Sequence, residues 1–365
     1  MENINNKKVL FIANHRKDRA PSQRFRFEQY IDFLNEQGYD CHLSNLFSKS
    51  DDKIFYSKGH FIAKGFIFVK TFIKRYFELK NASQYDIVFV SREAHKIGSS
   101  VLEKIILKSK AKFIYDFDDA IWKKDMSKAN QWFSWLKNPN KTKDIIAMAD
   151  VVIAGNQYLK DYAYEFNKNV VIIPTTIDTV FYKSKEKKTT NKICIGWSGS
   201  TTTIKHFELA IPFLKKIKDL YQDKIIIKVI GDKNYFNKAL DIKGKGWILE
   251  KEIEELATFD IGIMPLEADE WSKGKCGLKG LQYMALEIPT IMSPVGVNKE
   301  IIQNGINGFL AKTETEWINS IKELIENENL RLKIGKAGRA TVIDKYSVEA
   351  QKENYLSVFN SLFNK

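Results

Sequence analysis

The chain has 365 residues, of which 44% are hydrophobic, and it carries a formal net charge of +13 at pH 7. This length predicts two domains of roughly 100–200 residues each. No stretch offers the roughly 20 apolar residues of a membrane span, the N-terminal sequence lacks the pattern of a signal peptide, and the three cysteines show no metal or disulfide spacing, as in a reduced cytoplasmic protein. The positive charge indicates an anionic partner: nucleic acid, nucleotide phosphates or an anionic membrane surface.

The first elements alternate between apolar runs and helical patterns. Residues 8–13 (KVLFIA) form a predicted buried strand, and a helix pattern begins at Ser22 and ends at Gly38. Further predicted strands cover residues 85–90, 112–115 and 169–173. This alternation of strands and helices predicts a doubly wound parallel sheet.

Residues 60–80 mix aromatic and basic side chains (HFIAKGFIFVKTFIKRYFELK). As a helix, this segment would have a wide aromatic face edged by lysine and arginine, which is the composition of an interfacial membrane helix. The alternative is an ordinary amphipathic helix whose phenylalanines pack on the core.

Three carboxylates follow the predicted strand at residues 112–115: Asp116, Asp118 and Asp119. The carboxyl ends of parallel strands are where open α/β sheets bind ligands. Crowded carboxylates raise one another's pKa, which suits general-base or hydroxyl-orienting work. A Mg²⁺ site is the second interpretation, and an aspartate that caps the next helix is the structural one.

The second half of the chain repeats the α/β alternation. Residues 183–192 (KSKEKKTTNK) are charged and lack apolar periodicity, so we expect a linker between a first domain, 1–182, and a second domain, 193–345. In residues 271–310 the loop Gly274-Lys275-Cys276-Gly277 precedes an apolar helix pattern. Glycines let backbone N–H groups approach a ligand, and a helix start favours an anion such as a diphosphate. The alternative is an ordinary strand-to-helix turn.

This last stretch resembles the nucleotide-sugar half of GT-B glycosyltransferases of family 4 (group 1). The matching positions are Cys276-Gly277 for Phe-Gly, Tyr283-Met284-Ala285 for Ala-Met-Ala, Pro289 for the proline, and Glu300-Ile301-Ile302 with Gly305 and Gly308 for the tail. Gly274 and Gln282 stand where the family has two glutamates. The resemblance covers nearly the whole chain and implies an α/β protein of GT-B fold, with two Rossmann-like doubly wound domains facing across a cleft and a final helix, 346–365, packed back on the first domain.

The resemblance also implies which residues bind the donor. Lys205 matches the lysine that grips the diphosphate, Ser200 replaces the family's arginine, and Lys275 or Lys279 would supply the missing cation. Gln282 would bind ribose hydroxyls as a neutral amide, and Glu252 is the nearest match to an acidic residue near the base. The complete donor-binding set is Gly199, Ser200, Lys205, Glu252, Lys275, Cys276, Gly277, Lys279 and Gln282.

The implied acceptor side lies in the first domain. Arg24 and Arg26, together with Asp116, would meet donor phosphate or an anionic acceptor, unless the arginines form a solvent-exposed helix start. Asp118, with Asp119, would orient or deprotonate the acceptor hydroxyl, and Lys205 completes the catalytic set.

The implied function is sugar transfer from a nucleotide-diphosphate sugar to a hydroxyl acceptor, a glycan or lipid-linked precursor, with retention of configuration. We expect no cofactor, with Mg²⁺ as the less favoured option. The expected partners are the nucleotide sugar, the acceptor and an anionic membrane surface contacted by residues 60–80, without nucleic acid. The expected location is the cytoplasm, peripheral at the inner face of the plasma membrane. The alternatives are a GT-B nucleotide-sugar epimerase and a non-catalytic nucleic-acid-binding protein.

Overall fold

The computed structural model describes residues 6–123, 138, 140–184 and 191–363. The chain divides into two compact units, Met1–Pro174 with Lys352–Lys365, and Thr175–Gln351. The first unit ends at Pro174, whereas the predicted first domain ends at residue 182. The C-terminal segment that belongs to the first unit begins at Lys352, whereas the predicted final helix begins at residue 346. The predicted linker, 183–192, lies mostly outside the described residues.

The boundary moves because residues 177–182 are fastened to the second unit. Ile177 forms a parallel bridge with Ser347. Arg339 donates hydrogen bonds to the carbonyl oxygens of Tyr182 (2.7 Å) and Thr179 (3.2 Å). These contacts join residues that are far apart in the sequence. The local composition that predicted the linker therefore could not indicate them.

The first unit contains a sheet of six parallel strands in the order β2-β1-β3-β4-β5-β6 within the described residues. Its strands are β1 (Lys7–Ala13), β2 (Tyr39–Asn45), β3 (Ile87–Ser91), β4 (Lys112–Phe117), β5 (Val151–Ala154) and β6 (Val170–Ile172). Runs such as Val9–Ala13 are completely buried, as expected of strands covered on both faces. The strand order reverses between β1 and β3, and ligands bind outside the carboxyl ends of strands at such a point.

The helices of this unit cover both faces of the sheet. They are α1 (Pro21–Arg24), α2 (Ile31–Glu36), α3 (Lys49–Phe55), α4 (Phe61–Lys80), α5 (Glu103–Ile106), α6 (Asn140–Met148) and α7 (Gln157–Tyr164). The single helix predicted over residues 22–38 is therefore interrupted. The cause is a polar network at the interruption, in which Gln23 donates to Glu28 Oε1 (2.8 Å) and Glu28 Oε2 accepts from the Asp18 N–H (2.8 Å).

The second unit contains a sheet of five parallel strands, β13-β12-β11-β7-β8, and a two-stranded ribbon, β9-β10, within the described residues. The strands are β7 (Ile193–Ser198), β8 (Ile225–Ile230), β9 (Phe236–Asn237), β10 (Ile242–Lys243), β11 (Ile261–Met264), β12 (Thr290–Met292) and β13 (Phe309–Leu310). The helices are α8 (Ile204–Glu208), α9 (Ile211–Tyr221), α10 (Glu252–Leu256), α11 (Glu270–Lys273), α12 (Leu278–Ala285), α13 (Asn298–Ile301), α14 (Glu314–Glu326) and α15 (Glu328–Lys345). The last helix, α16 (Val348–Ser361), begins in this unit and continues into the first. Its core includes the stacked rings of Phe213 and Trp317, whose centroids are 4.8 Å apart.

The final helix, α16, returns to the first unit. Tyr355 stacks on Tyr30 with ring centroids 4.3 Å apart, and Phe359 stacks on Phe89. The predicted parallel α/β arrangement is confirmed in both units. Within the described chain, no helix is both long and apolar enough to cross a membrane.

Candidate active site

In the second unit, close main-chain packing shapes the loop after β7. A Cβ on Gly199 would lie 2.2 Å from the Trp197 ring, and a Cβ on Gly231 would lie 1.9 Å from the Gly199 carbonyl oxygen. The Gly199 N–H donates to the Ile230 carbonyl (2.9 Å). Both positions therefore require glycine, and the loops after β7 and β8 run in main-chain contact. Beside them, the Ser200 N–H donates to Thr203 Oγ1 (2.9 Å).

Three lysines from two distant parts of the sequence converge on two indole rings beside this loop. Lys275 Nζ is 3.3 Å from the ring centroid of Trp271, and Lys205 Nζ is 5.1 Å from the same ring. Lys279 Nζ is 5.6 Å from the ring of Trp197. We call Lys205, Lys275 and Lys279 the lysine cluster. Such cation–π contacts hold the ammonium groups near the indole faces.

The electrostatic effect of the lysine cluster is visible at His206. This imidazole is only 4% exposed and stacks on Trp271 at 5.9 Å. Burial, reinforced by Lys279, Lys275 and Lys205, lowers the pKa of His206 to about 4. Asp269 also acts on this imidazole and opposes the shift. The three lysines outnumber that carboxylate, and this excess of positive charge suits a polyanionic ligand.

The loop at 274–277 is placed by the ends of two helices. The Asp269 side chain caps α11 by accepting from the Ser272 N–H (2.6 Å), and Gly277 caps α12 with φ +71°. A Cβ on Gly277 would lie 2.3 Å from Ile301 Cδ1. Cys276 is 8% exposed and its thiol faces the Gly274 carbonyl, so any contact of Cys276 with a donor has to come from its main chain.

The two other predicted donor residues belong to one hydrogen-bond network. The Tyr182 hydroxyl donates to Glu252 Oε2 (2.6 Å) and accepts from the Gln282 amide (2.9 Å). Trp247 Nε1 also donates to Glu252 (2.8 Å). Glu252 therefore has a structural role that the sequence prediction lacked, because Tyr182 was assigned to the other domain. Gln282 keeps its carbonyl oxygen as an acceptor.

In the first unit, the predicted phosphate-binding arginine Arg26 is buried in an ion pair. Its guanidinium lies 2.5 Å from Asp116 Oδ1 and also donates to the Ile173 carbonyl. Arg26 is 2% exposed and Asp116 is 1% exposed. Arg24 is buried as well, against the Phe25 ring. These contacts give the three residues structural roles within the unit, and their role in binding phosphate or acceptor stays a prediction.

Asp118 and Asp119 point to a different arginine, which the sequence interpretation missed. Arg92 follows β3, adopts a left-handed φ of +62°, and donates from Nε to Asp118 Oδ1 at 2.7 Å. Its Nη2 lies 3.8 Å from Asp119 Oδ2. Burial disfavours the cation, but Asp118 and Asp119 outweigh it and raise the pKa of Arg92 above its ordinary value. Asp116 pairs with Arg26, and burial, together with Asp118, raises the pKa of Asp116.

Further cations surround the loop after β1. Arg19 Nε is 2.9 Å and Arg16 Nη2 is 3.8 Å from Asp52 Oδ2. Burial, together with Lys96, lowers the pKa of the adjacent His15 to about 4. The sequence provides one indication that His15, Arg16 and Arg19 lie near a ligand, which is that they follow a buried strand. Arg92 follows a buried strand in the same way.

The comparisons with known proteins agree with this architecture. Residues 178–341 match the family model described as "Glycosyl transferases group 1". An uncharacterized glycosyltransferase of Methanocaldococcus jannaschii is 26% identical over 316 residues, covering 78% of each chain. The N-acetyl-alpha-D-glucosaminyl L-malate synthase of Bacillus anthracis is 26% identical over 236 residues, covering 59% of this chain and 60% of that protein. The structure of Anabaena HepE in complex with UDP and glucose superposes with a TM-score of 0.68 at 14% identity, covering 97% and 99% of the two chains.

Fold and matches together define a glycosyltransferase with the GT-B fold. Residues 178–341, which match the group 1 model, lie within the second unit. The epimerase and nucleic-acid-binding alternatives are not favoured by these relatives.

Proposed function

We propose that the lysine cluster binds the diphosphate of a nucleotide sugar and that the protein transfers the sugar to a hydroxyl group of a glycan or lipid-linked acceptor. The convergence of Lys205, Lys275 and Lys279 on Trp271 and Trp197 carries this proposal. Ser200 stands where the resembling family has an arginine, and Lys275 and Lys279 restore positive charge beside it.

The lysine cluster acts on the leaving group. As the bond between the anomeric carbon and the diphosphate oxygen breaks, negative charge grows on the diphosphate and the sugar becomes oxocarbenium-like. Cations already held in place stabilise that charge without reorganising, and one such preorganised donor is typically worth ~10²–10³ in rate. With retention, the acceptor oxygen bonds to the same face of the anomeric carbon, and its proton goes to the departing phosphate oxygen.

The network of Tyr182, Glu252 and Gln282 would hold the nucleoside. The Gln282 carbonyl oxygen suits a ribose hydroxyl, because an amide oxygen accepts without adding charge. We propose a uridine nucleotide as the first candidate, since similar structures were solved with UDP. The glutamate that the resembling family has at the position of Gly274 is missing in this chain, so the donor sugar would be recognised differently from the resembling family.

The acceptor is assigned to the first unit. Asp118, aimed by Arg92, would accept a hydrogen bond from the acceptor hydroxyl, with Asp119 beside it. No metal is proposed, since Arg92 already supplies the charge that balances these carboxylates. A lipid-linked acceptor would place the protein in the cytoplasm at the inner face of the plasma membrane.

A thermal-shift panel of nucleotide sugars and nucleoside diphosphates tests the proposal. A ligand at 100 times its Kd adds about 2.7 kcal/mol to the free energy of unfolding, which gives a measurable rise in melting temperature. We expect one nucleotide class to stabilise the wild type and Lys205→Ala to reduce the shift. Stabilisation by no nucleotide would contradict the proposal.

A further inference from the structure

Helix α4 packs on the first unit through a narrow and partly polar face. Its buried residues recur every four positions: Ile67, Thr71, Arg75 and Leu79. Arg75 is completely buried and donates to the carbonyl oxygens of Ala13 (2.9 Å) and Ala94 (3.0 Å) and to Ser44 Oγ (2.9 Å). These partners lie at the carboxyl ends of β1 and β2 and in the loop after β3. Polar contacts therefore fasten this helix to the carboxyl edge of the sheet.

The opposite face of α4 carries its large apolar side chains. We call the outer stripe the exposed residues that recur at helical spacing: Ile62, Phe66, Val69, Ile73, Tyr76 and Phe77. Ile62 is 92% exposed and Phe66 is 70% exposed. An ordinary surface helix turns such residues toward the core. Only part of the aromatic set packs inward: Phe68 and Phe72 contact His95, whereas Phe66, Tyr76 and Phe77 lie in the outer stripe.

The outer stripe runs along a helix about 30 Å long. It stays exposed with all the described residues of the chain in place. Contiguous apolar surface of this kind marks an interaction site.

The charges around the outer stripe indicate what covers it. Apart from the buried Arg75, residues 49–80 contain seven lysines against three aspartates and glutamates. Two of these lysines form ion pairs, Lys70 with Asp51 and Lys74 with Glu78, and positive charge stays in excess. Lys74 and Lys80 are exposed on α4 itself. A second copy of the chain would set the same cations against one another, whereas an anionic lipid surface offers the opposite charge.

We propose that the outer stripe of α4 inserts into the interfacial layer of an anionic lipid bilayer, with the surrounding lysines on the headgroups. Aromatic and aliphatic side chains on one face and cations at its edge are the composition that such helices use. The inference that α4 binds a bilayer depends on the residues of α4 alone. The purpose of that binding, which is to present a lipid-linked acceptor, rests on the proposed function.

The fold links this surface to the acceptor residues within the first unit. Thr71 Oγ1 of α4 lies 3.1 Å from His95 Nε2, and the Phe68 ring packs on the same imidazole. His95 belongs to the loop after β3, which also carries Arg92, the partner of Asp118. Docking through the outer stripe would therefore bring this loop to the membrane surface.

Co-sedimentation of the full chain with vesicles tests the inference. We expect binding to vesicles of phosphatidylcholine with phosphatidylglycerol, weaker binding to phosphatidylcholine alone, and weakening by salt because the lysine contribution is screened. The double variant Phe66→Asp with Ile73→Asp should bind the anionic vesicles at least about tenfold more weakly, because it removes apolar area and adds repulsive charge. The matched control is Leu332→Asp with Ile343→Asp, two exposed apolar residues of α15, which should bind like the wild type.

A second pair of variants covers the case in which the first pair does not fold. Lys74→Glu with Lys80→Glu should also weaken binding, whereas Lys333→Glu with Lys336→Glu on α15 should not. Equal vesicle binding by wild type and both α4 variants would overturn the inference. So would a wild-type dimer that the Phe66 and Ile73 changes dissociate, as seen by light scattering. Nucleotide binding by the α4 variants should be unchanged, so a failure of this inference stays distinct from a failure of the proposed function.

Discussion

Arg92 donates a hydrogen bond from Nε to Asp118 Oδ1 at 2.7 Å, across the carboxyl ends of the neighbouring strands β3 and β4. Arg92 also adopts a left-handed backbone conformation, which costs a non-glycine residue of the order of 1–3 kcal/mol. The surrounding contacts hold it there: its N–H donates to the Asp116 carbonyl, and its carbonyl accepts from the Tyr115 hydroxyl. Strain of this kind in the loop beside Asp118 indicates a functional position.

Arg92→Gly separates this functional role from folding. Glycine adopts the left-handed conformation without strain, which offsets part of the cost of losing the ion pairs with Asp118 and Asp119, so we expect only a moderate loss of stability. Transfer activity should fall about tenfold or more, because Asp118 loses the hydrogen bond that orients it. The assay compares kcat with the melting temperature, and Asp118→Asn is made alone and in combination. If Arg92 acts through Asp118, the double variant should be hardly worse than Asp118→Asn. Fully additive losses would contradict that role.

The lysine cluster should contribute to kcat as well as to binding. We expect Lys275→Gln or Lys279→Gln to lower kcat by ~10²–10³, because each removes a fixed cation from the leaving diphosphate. Steady-state kinetics with the identified donor measure the effect, and the exposed Lys336→Gln on α15 is the control. A change in KM alone would show that these lysines bind the donor uniformly and do not stabilise the transition state.

The pair of Arg26 and Asp116 predicts a stability effect. Arg26→Met leaves a buried carboxylate without its partner and should cost about 3–5 kcal/mol in the free energy of unfolding. Arg26→Met with Asp116→Leu removes both charges and should recover much of that loss. Chemical denaturation measures both variants. Equal stability of the wild type and Arg26→Met would return these residues to a ligand-binding role.

Some of these features could be predicted from the sequence and others could not. The apolar runs of β1, β3 and β7 were visible because parallel strands are buried on both faces. The glycine loop and Lys205 were found through a motif. The side on which Arg24 and Arg26 lie was not visible, because that depends on the interrupted helix and on Asp116, which is 90 residues away. Arg92 and Tyr182 were missed since each acts through a long-range partner, Asp118 or Glu252.

Three buried histidines predict acid sensitivity. Burial lowers the pKa of His15, His95 and His206 to about 4, from an ordinary value of 6.5. Between those values the unfolded chain binds more protons than the folded one, so stability falls as the pH drops from 6.5 toward 4. At pH 5 each histidine should cost on the order of 1–2 kcal/mol.

Melting temperature measured against pH checks this expectation. His206→Gln should flatten the fall in melting temperature below pH 6.5. A His206→Gln profile parallel to that of the wild type would mean that the imidazole is not held neutral.

The most direct test of the lysine cluster as a diphosphate site is a calorimetric comparison of UDP with UMP, or of the corresponding pair for the nucleotide class that the thermal-shift panel selects. The two ligands share base and ribose and differ in the phosphate that the lysines would hold. The account predicts that the diphosphate binds much more tightly in the wild type and that Lys275→Gln with Lys279→Gln removes most of the difference. Equal affinity for both nucleotides, or a difference that survives the double substitution, would contradict it.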